Sequence, residues 1–142
     1  MTFSVRVSVR GYELDTQGHL NSAVYHQYGD HARWELLRAA GIEVKDLLGS
    51  GIGPITLENT IRYHRELRGG DEVDVTCAFE WGEGRTFGVR QEFRRTNGEL
   101  EGELVAELTG VGGLLDLQAR RLLPDPRARW RALAATPGVL GL

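Results

Sequence analysis

The sequence predicts an α+β domain in which an antiparallel meander buries one long helix. Three observations carry this prediction. Phe3–Arg10 alternates apolar and polar residues, the period of a strand with one buried face. Ala23–Ala40 has the longest helical periodicity in the chain. From Ile55 onward, alternating runs are separated mostly by short glycine-rich turns. A single apolar helix between the first and second strands needs a surface to cover it, and a sheet that wraps around it is the economical solution.

The elements follow in order. Phe3, Val5, Val7 and Val9 form the apolar side of the first strand; Gly11 ends it, and Tyr12–Gln17 reads as a loop. In the helix, steps of about 100° place Val24, Tyr25, Tyr28, Gly29, Ala32, Leu36, Ala39 and Ala40 on one half of the wheel. His26, Gln27, Asp30, Arg33, Trp34 and Arg38 fall on the other. Asn21 or Ser22 is a suitable N-cap and Gly41 a suitable stop. A helix of this length spans roughly 27 Å, enough to cross a small sheet. Lys45–Pro54 reads as a connection. Four strands are then expected at Ile55–Arg65, Glu72–Trp81, Arg85–Arg95 and Leu100–Gly112. They are divided by Gly69-Gly70-Asp71, Gly82-Glu83-Gly84 and Asn97-Gly98. Asp125-Pro126 is a cap followed by a first-turn proline, opening a short helix over Arg127–Ala135.

Composition narrows the function. With 142 residues the chain is expected to form a single domain over 1–142. A net charge of −3 disfavours a general nucleic-acid binder. The single cysteine, Cys77, excludes an internal disulfide and a multi-cysteine zinc site. It alternates with apolar Val75 and Phe79 and is read as a core residue. No apolar run reaches the ~20 residues of a membrane helix, and no signal peptide is recognised at the N-terminus. A cytoplasmic location is the expectation. His19, His26 and His31 do not form a convincing ligand set, so no metal is expected. There is no glycine-rich phosphate loop and no Gly-x-Ser-x-Gly elbow.

The informative stretch is Leu14–Tyr28. Asp15 sits in a loop with Gly18, which permits a sharp turn, and a helix begins about seven residues later. A loop aspartate commonly does no more than bond nearby amides. Here, however, the first helical amides lack internal partners and carry partial positive charge. A carboxylate facing such donors supplies both halves of an acyl-transfer site: a nucleophile or base, and a stabiliser of the oxyanion.

The pattern Asp15-x-x-Gly18-His19-x-Asn21-Ser22-Ala23-x-Tyr25-x-x-Tyr28, with Arg33 beyond it, resembles the 4-hydroxybenzoyl-CoA thioesterase family. This is a family of hotdog-fold acyl-CoA thioesterases, and the likeness extends to the related acyl-ACP thioesterases. Tyr63-His-Arg65, Gly70-Asp-Glu-Val73 and Asn97-Gly98 continue it. The resemblance implies a hotdog fold, a five-stranded antiparallel sheet wrapped around the helix. It also implies a homodimer as the minimum unit, often paired into a homotetramer, with sites at the subunit interface and no bound cofactor. By the same likeness, Asp15 is the nucleophile or general base acting on an acyl-CoA or acyl-carrier-protein thioester. The amide of Ser22 polarises the carbonyl, and His19 and Asn21 shape the loop or orient water. Tyr25 is a candidate wall of the acyl site. Arg85 is the first candidate for meeting the phosphates of CoA or a carrier, with Arg62, His64 and Arg65 as alternatives. Related readings are a hydratase, a polyketide-tailoring enzyme or a non-catalytic acyl-CoA binding module. The spacing Asp-x-x-x-His, with no proline following, departs from the Asp-x-x-x-x-His of the hydratase branch.

Overall fold

The structure is a computed structural model that describes residues 2–142. The chain runs β1 (Ser4–Ser8), α1 (Ser22–Ala39), α2 (Val44–Gly49), β2 (Ile52–Tyr63), β3 (Glu72–Thr76), β4 (Ala78–Glu80), β5 (Thr86–Arg95), β6 (Leu104–Asp116), β7 (Arg121–Leu122) and α3 (Pro126–Leu133). Strand order across the sheet is β1-β3-β5-β6-β2, with β4 paired to β5 and β7 to β6. All these pairings are antiparallel. The result is the hotdog arrangement, a curled sheet holding α1 against its inner face.

The alternation in the sequence explains which face is inner. Val7 in β1, Val73 and Val75 in β3, Val89 and Phe93 in β5, and Ala106 and Leu108 in β6 are buried against Tyr25, Tyr28, Ala32 and Leu36 of α1. Small residues let the helix lie close. A Cβ on Gly29 would stand 3.0 Å from the Gln91 side-chain oxygen and 3.3 Å from Leu108.

Several local expectations are corrected. The connection before β2 contains α2, whose Leu47 is buried, and β2 begins at Ile52 and ends at Tyr63. A bulge between Thr56 and Glu58 breaks its alternation, leaving Leu57 48 % exposed. The strand expected over Glu72–Trp81 divides into β3 and β4, where Glu92 N–H turns to the Thr76 hydroxyl at 2.8 Å. Leu100 lies in the β5–β6 connection and is exposed, and β6 starts at Leu104. On α1, Leu37 is buried and Ala39 exposed, the reverse of the wheel's assignment for Ala39. Arg33, placed on the polar half, reaches the sheet instead.

At the other end of the chain, Asp125 caps α3 by accepting from Ala128 N–H at 3.2 Å. Trp130 anchors α3 in the core. No helix among the described residues is long and apolar enough to cross a membrane.

Candidate active site

The Asp15 loop is built by its own hydrogen bonds. Asp15 and His19 face each other across a tight turn, with Asp15 N–H donating to His19 C=O at 2.7 Å. Gly18 N–H closes the turn on Asp15 C=O at 3.1 Å, and Gly18 adopts φ +77°, a conformation that favours glycine. The Asp15 carboxylate takes part through one oxygen. Oδ1 accepts from Gln17 N–H at 2.9 Å and from His19 N–H at 3.1 Å. Among the described residues Oδ2 accepts no hydrogen bond. The bonds from His19 and then Gln17 favour the charged form and hold the carboxyl below its usual range. Asp15 is therefore an ionised, exposed carboxylate with one oxygen fixed and one open.

The helix start is defined by Asn21. Its side-chain oxygen accepts from Ala23 N–H at 2.9 Å, and its carbonyl accepts from Val24 N–H at 2.9 Å. Asn21 N–H in turn donates to Glu13 C=O at 3.0 Å, and the Glu13 carboxylate receives the Tyr28 hydroxyl at 2.5 Å. The second and third amides of α1 are thus satisfied. Among the described residues Ser22 N–H, the first, donates to nothing. Its orphan status follows from helix geometry, and it contrasts with the paired amides of Ala23 and Val24 beside it.

Asp15 and Ser22 line one cleft of about 380 Å³, together with His19, Asn21 and Tyr25. Its far wall is Tyr63-His64-Arg65-Glu66, at the end of β2 and just beyond. Tyr63 donates its hydroxyl to Ser22 C=O at 3.0 Å and packs edge-on to Tyr25, ring centroids 5.0 Å apart. Tyr25 is buried against Phe93 as well, and burial pushes its phenol up to about 12. It is a neutral wall, not an acid or base.

His19 points its Nε2 at the Glu66 carboxylate, 2.5 Å away. Leu20 N–H donates to Leu67 C=O at 2.7 Å. Together these bonds dock the Asp15 loop on the segment that follows β2. Glu66 has no signature in the sequence; the docking bridge between His19 and Arg68 brings it in across a long separation.

Arg65 lies on the wall of this cleft, with one guanidinium nitrogen on His64 C=O at 2.9 Å. Arg85 does not line it. Arg85 precedes Thr86, which pairs with Gly113 of β6, whereas Tyr63 pairs with Ala106. Seven residues of strand, roughly 23 Å at the usual rise, separate those two levels. The Arg85 guanidinium instead donates to Leu122 C=O at 2.9 Å. Cys77 is buried, and burial pushes its thiol up to about 12, so it is not a nucleophile at neutral pH.

A family model for the thioesterase-like superfamily matches residues 9–135. The chain is 40 % identical over 71 residues to the chloroplastic acyl-acyl carrier protein thioesterase ATL3 of Arabidopsis thaliana, covering 50 % of this chain and 37 % of that protein. The chain therefore spans little more than a third of this plant relative's length. It is 26 % identical over 122 residues to the long-chain acyl-CoA thioesterase FadM of Escherichia coli K12, covering 83 % of this chain and 86 % of FadM. A solved 1,4-dihydroxy-2-naphthoyl-CoA thioesterase from Synechocystis superposes with a TM-score of 0.81 at 16 % identity, over 94 % of this chain and 96 % of its own, a likeness of fold. With the family model covering most of its length and the curled sheet around α1 as its fold, the chain belongs to the thioesterase-like superfamily.

Proposed function

We propose that this chain is a hydrolase of acyl thioesters carried on CoA or on a phosphopantetheinyl carrier protein. One observation carries the reading: Asp15, an ionised carboxylate with a free oxygen, and Ser22, whose helix-start amide is unpaired, line one cleft. The family's thioesterases agree with it. The bound thioester sets its carbonyl oxygen at Ser22 N–H. Asp15 Oδ2 then attacks the carbonyl carbon, the C–S bond breaks and the thiolate leaves to take a proton from solvent. Water cleaves the resulting anhydride and restores the carboxylate. In the alternative route Asp15 takes a proton from a water that attacks directly. In other enzymes one directed oxyanion donor is worth about 2.7–4 kcal/mol, against less than ~1 for a surface helix dipole. The single hydrogen bond from Ser22 should therefore matter more than the field of α1.

In this reading Asn21 acts by holding the first turn so that Ser22 N–H stays free. His19 acts by docking the loop on Glu66. Tyr25 walls the acyl group, and Arg65 reaches phosphate at the rim. The loop motif supports the 4-hydroxybenzoyl-CoA branch within the superfamily. The chemistry calls for water alone, without a cofactor. The chain acts as a single cytoplasmic domain and assembles through β2. That strand is a sheet edge of twelve residues with Leu57 and Tyr63 about half exposed, the kind of edge that proteins otherwise protect. An isologous contact there would give a dimer, and two dimers a tetramer.

A panel of acyl-CoA and acyl-carrier-protein thioesters, followed by release of free thiol, tests the reading. Thiol release with the free acid as product is expected. Turnover of an enoyl thioester without thiol release would mark a hydratase, and binding without turnover a non-catalytic module.

A further inference from the structure

The chain's charge is unevenly distributed. Residues 117–142 carry five arginines against one aspartate, a net of +4, while the remainder carries twelve basic and nineteen acidic side chains, a net of −7. In the acidic part the arginines commonly rest on carboxylates, as Arg6 does on Asp74, Arg94 on Glu92 and Arg95 on Asp71. Among the described residues, Arg120, Arg121, Arg127, Arg129 and Arg131 make no such pair. The two carboxylates of this corner are turned onto backbone amides. Asp116 accepts from Gln118 and Ala119 N–H, and Asp125 caps α3. Arg120, Arg121, Arg127 and Arg131 are exposed. Arg127 and Arg131 stand one helical turn apart, a like-charged spacing that weakens a helix. Arg85 joins the corner through its bond to Leu122 C=O on β7.

We propose that this corner, made by the β6–β7 turn and the outer face of α3, docks an acidic carrier protein that delivers the acyl thioester. The proposal rests on the thioesterase reading above. These cations are spread over a turn, a strand end and a helix face. That pattern suits an extended acidic protein surface better than the compact phosphates of CoA, which call for convergent groups. Position supports delivery as well. β6 carries the corner at its Asp116 end, opposite Ile52 of β2, and the cleft at its Ala106 end, opposite Tyr63. Antiparallel pairing of two β2 edges about a two-fold axis sets the Ile52 end of one chain beside the Tyr63 end of the other. A carrier docked on one chain's corner then faces the other chain's Asp15.

The test compares the parent with Arg127→Glu/Arg131→Glu on one acyl group presented as acyl-carrier protein and as acyl-CoA. The expected result is a rise in KM of at least about tenfold for the carrier protein, with kcat within about twofold and acyl-CoA kinetics unchanged. The turn variant Arg120→Asn/Arg121→Gln should show the same selectivity at smaller size and decides the matter if the helix variant does not fold. Equal losses on both substrates by a folded variant, or no change on either, would overturn the proposal. Should the parent hydrolyse neither thioester, the thioesterase reading fails separately. Fluorescence anisotropy of labelled holo-carrier protein then judges the corner: salt-sensitive binding lost in the variant supports it, and equal binding by both overturns it.

Discussion

Two polar clusters hang on α1, one at its first turn and one midway, and they are finished differently. Midway, Gln91 is completely buried, donating to Gly29 C=O at 2.9 Å and accepting from Arg33 Nε at 3.0 Å. Arg33 continues to Asn59 at 2.9 Å and Thr56 at 3.3 Å on β2. Space for this is kept by Gly110, where a Cβ would stand 2.9 Å from Arg33 and 2.7 Å from Asn59. The guanidinium spends its donors on neutral acceptors that tie helix to sheet. At the first turn, by contrast, Asp15 keeps one oxygen open and Ser22 keeps its N–H free. A polar group that is buried and satisfied holds a fold together. One that is fixed in place but left unsatisfied toward a cleft is available to a substrate.

This contrast predicts that damage to the middle cluster appears as lost stability, and damage to the first turn as lost activity. The largest stability effect should come from Gln91→Leu, which strips Arg33 Nε and Gly29 C=O of a buried partner. A loss of about 2 kcal/mol is expected in urea unfolding, with kcat near the parent value wherever the protein is folded. A collapse of kcat at unchanged stability would reverse the roles of the two clusters. Next comes Asn21→Ala. Removing this cap should cost about 1 kcal/mol and free Ala23 N–H beside Ser22, so kcat should fall while KM holds. If only stability changed, the cap would have no part in aiming the amide.

The smallest effect is an absence of pH sensitivity. The Asp15 carboxyl is depressed by the His19 and Gln17 amides. Its folded-state contribution is therefore present above its unfolded value of about 3.9 and lost only as pH falls through the lower folded value. Neither activity nor stability should show a limb from Asp15 between about pH 5 and pH 8. An acid limb in kcat/KM near pH 6 that disappears in Asp15→Asn would show that the environment raises this carboxyl instead.

Much of the architecture was legible because it is local. Alternation placed β1, β5 and the core of β6, and helical spacing placed α1 with its Tyr25, Tyr28, Ala32 and Leu36 face. Asp125-Pro126 marked α3 directly. Asp15 and the helix start were likewise visible, since loop and cap are separated by only a few residues. What escaped depends on distant partners. Arg33 fell on the polar half of the wheel because its partner Gln91 is 58 residues away, and nothing near Glu66 announces that it meets His19. The Thr56–Glu58 bulge shifts the phase of β2, so Leu57, apolar and in step, ends on the exposed edge. Asn97-Gly98 does sit in the β5–β6 connection. Asn97, however, turns its side chain to Glu72 N–H, and the connection continues through Gly102 at φ +87°, which moved the start of β6 to Leu104.

The central claim is that the free oxygen of Asp15 does the chemistry that the Ser22 amide assists. Asp15→Asn isolates it, because an asparagine oxygen still accepts from Gln17 and His19 N–H and leaves the turn intact while removing the carboxylate. Thiol release by the purified variant, measured on the parent's best substrate at equal thermal stability, should fall by about a thousandfold, roughly 4 kcal/mol of transition-state stabilisation. Thiol release at the parent rate from that folded variant would contradict the account.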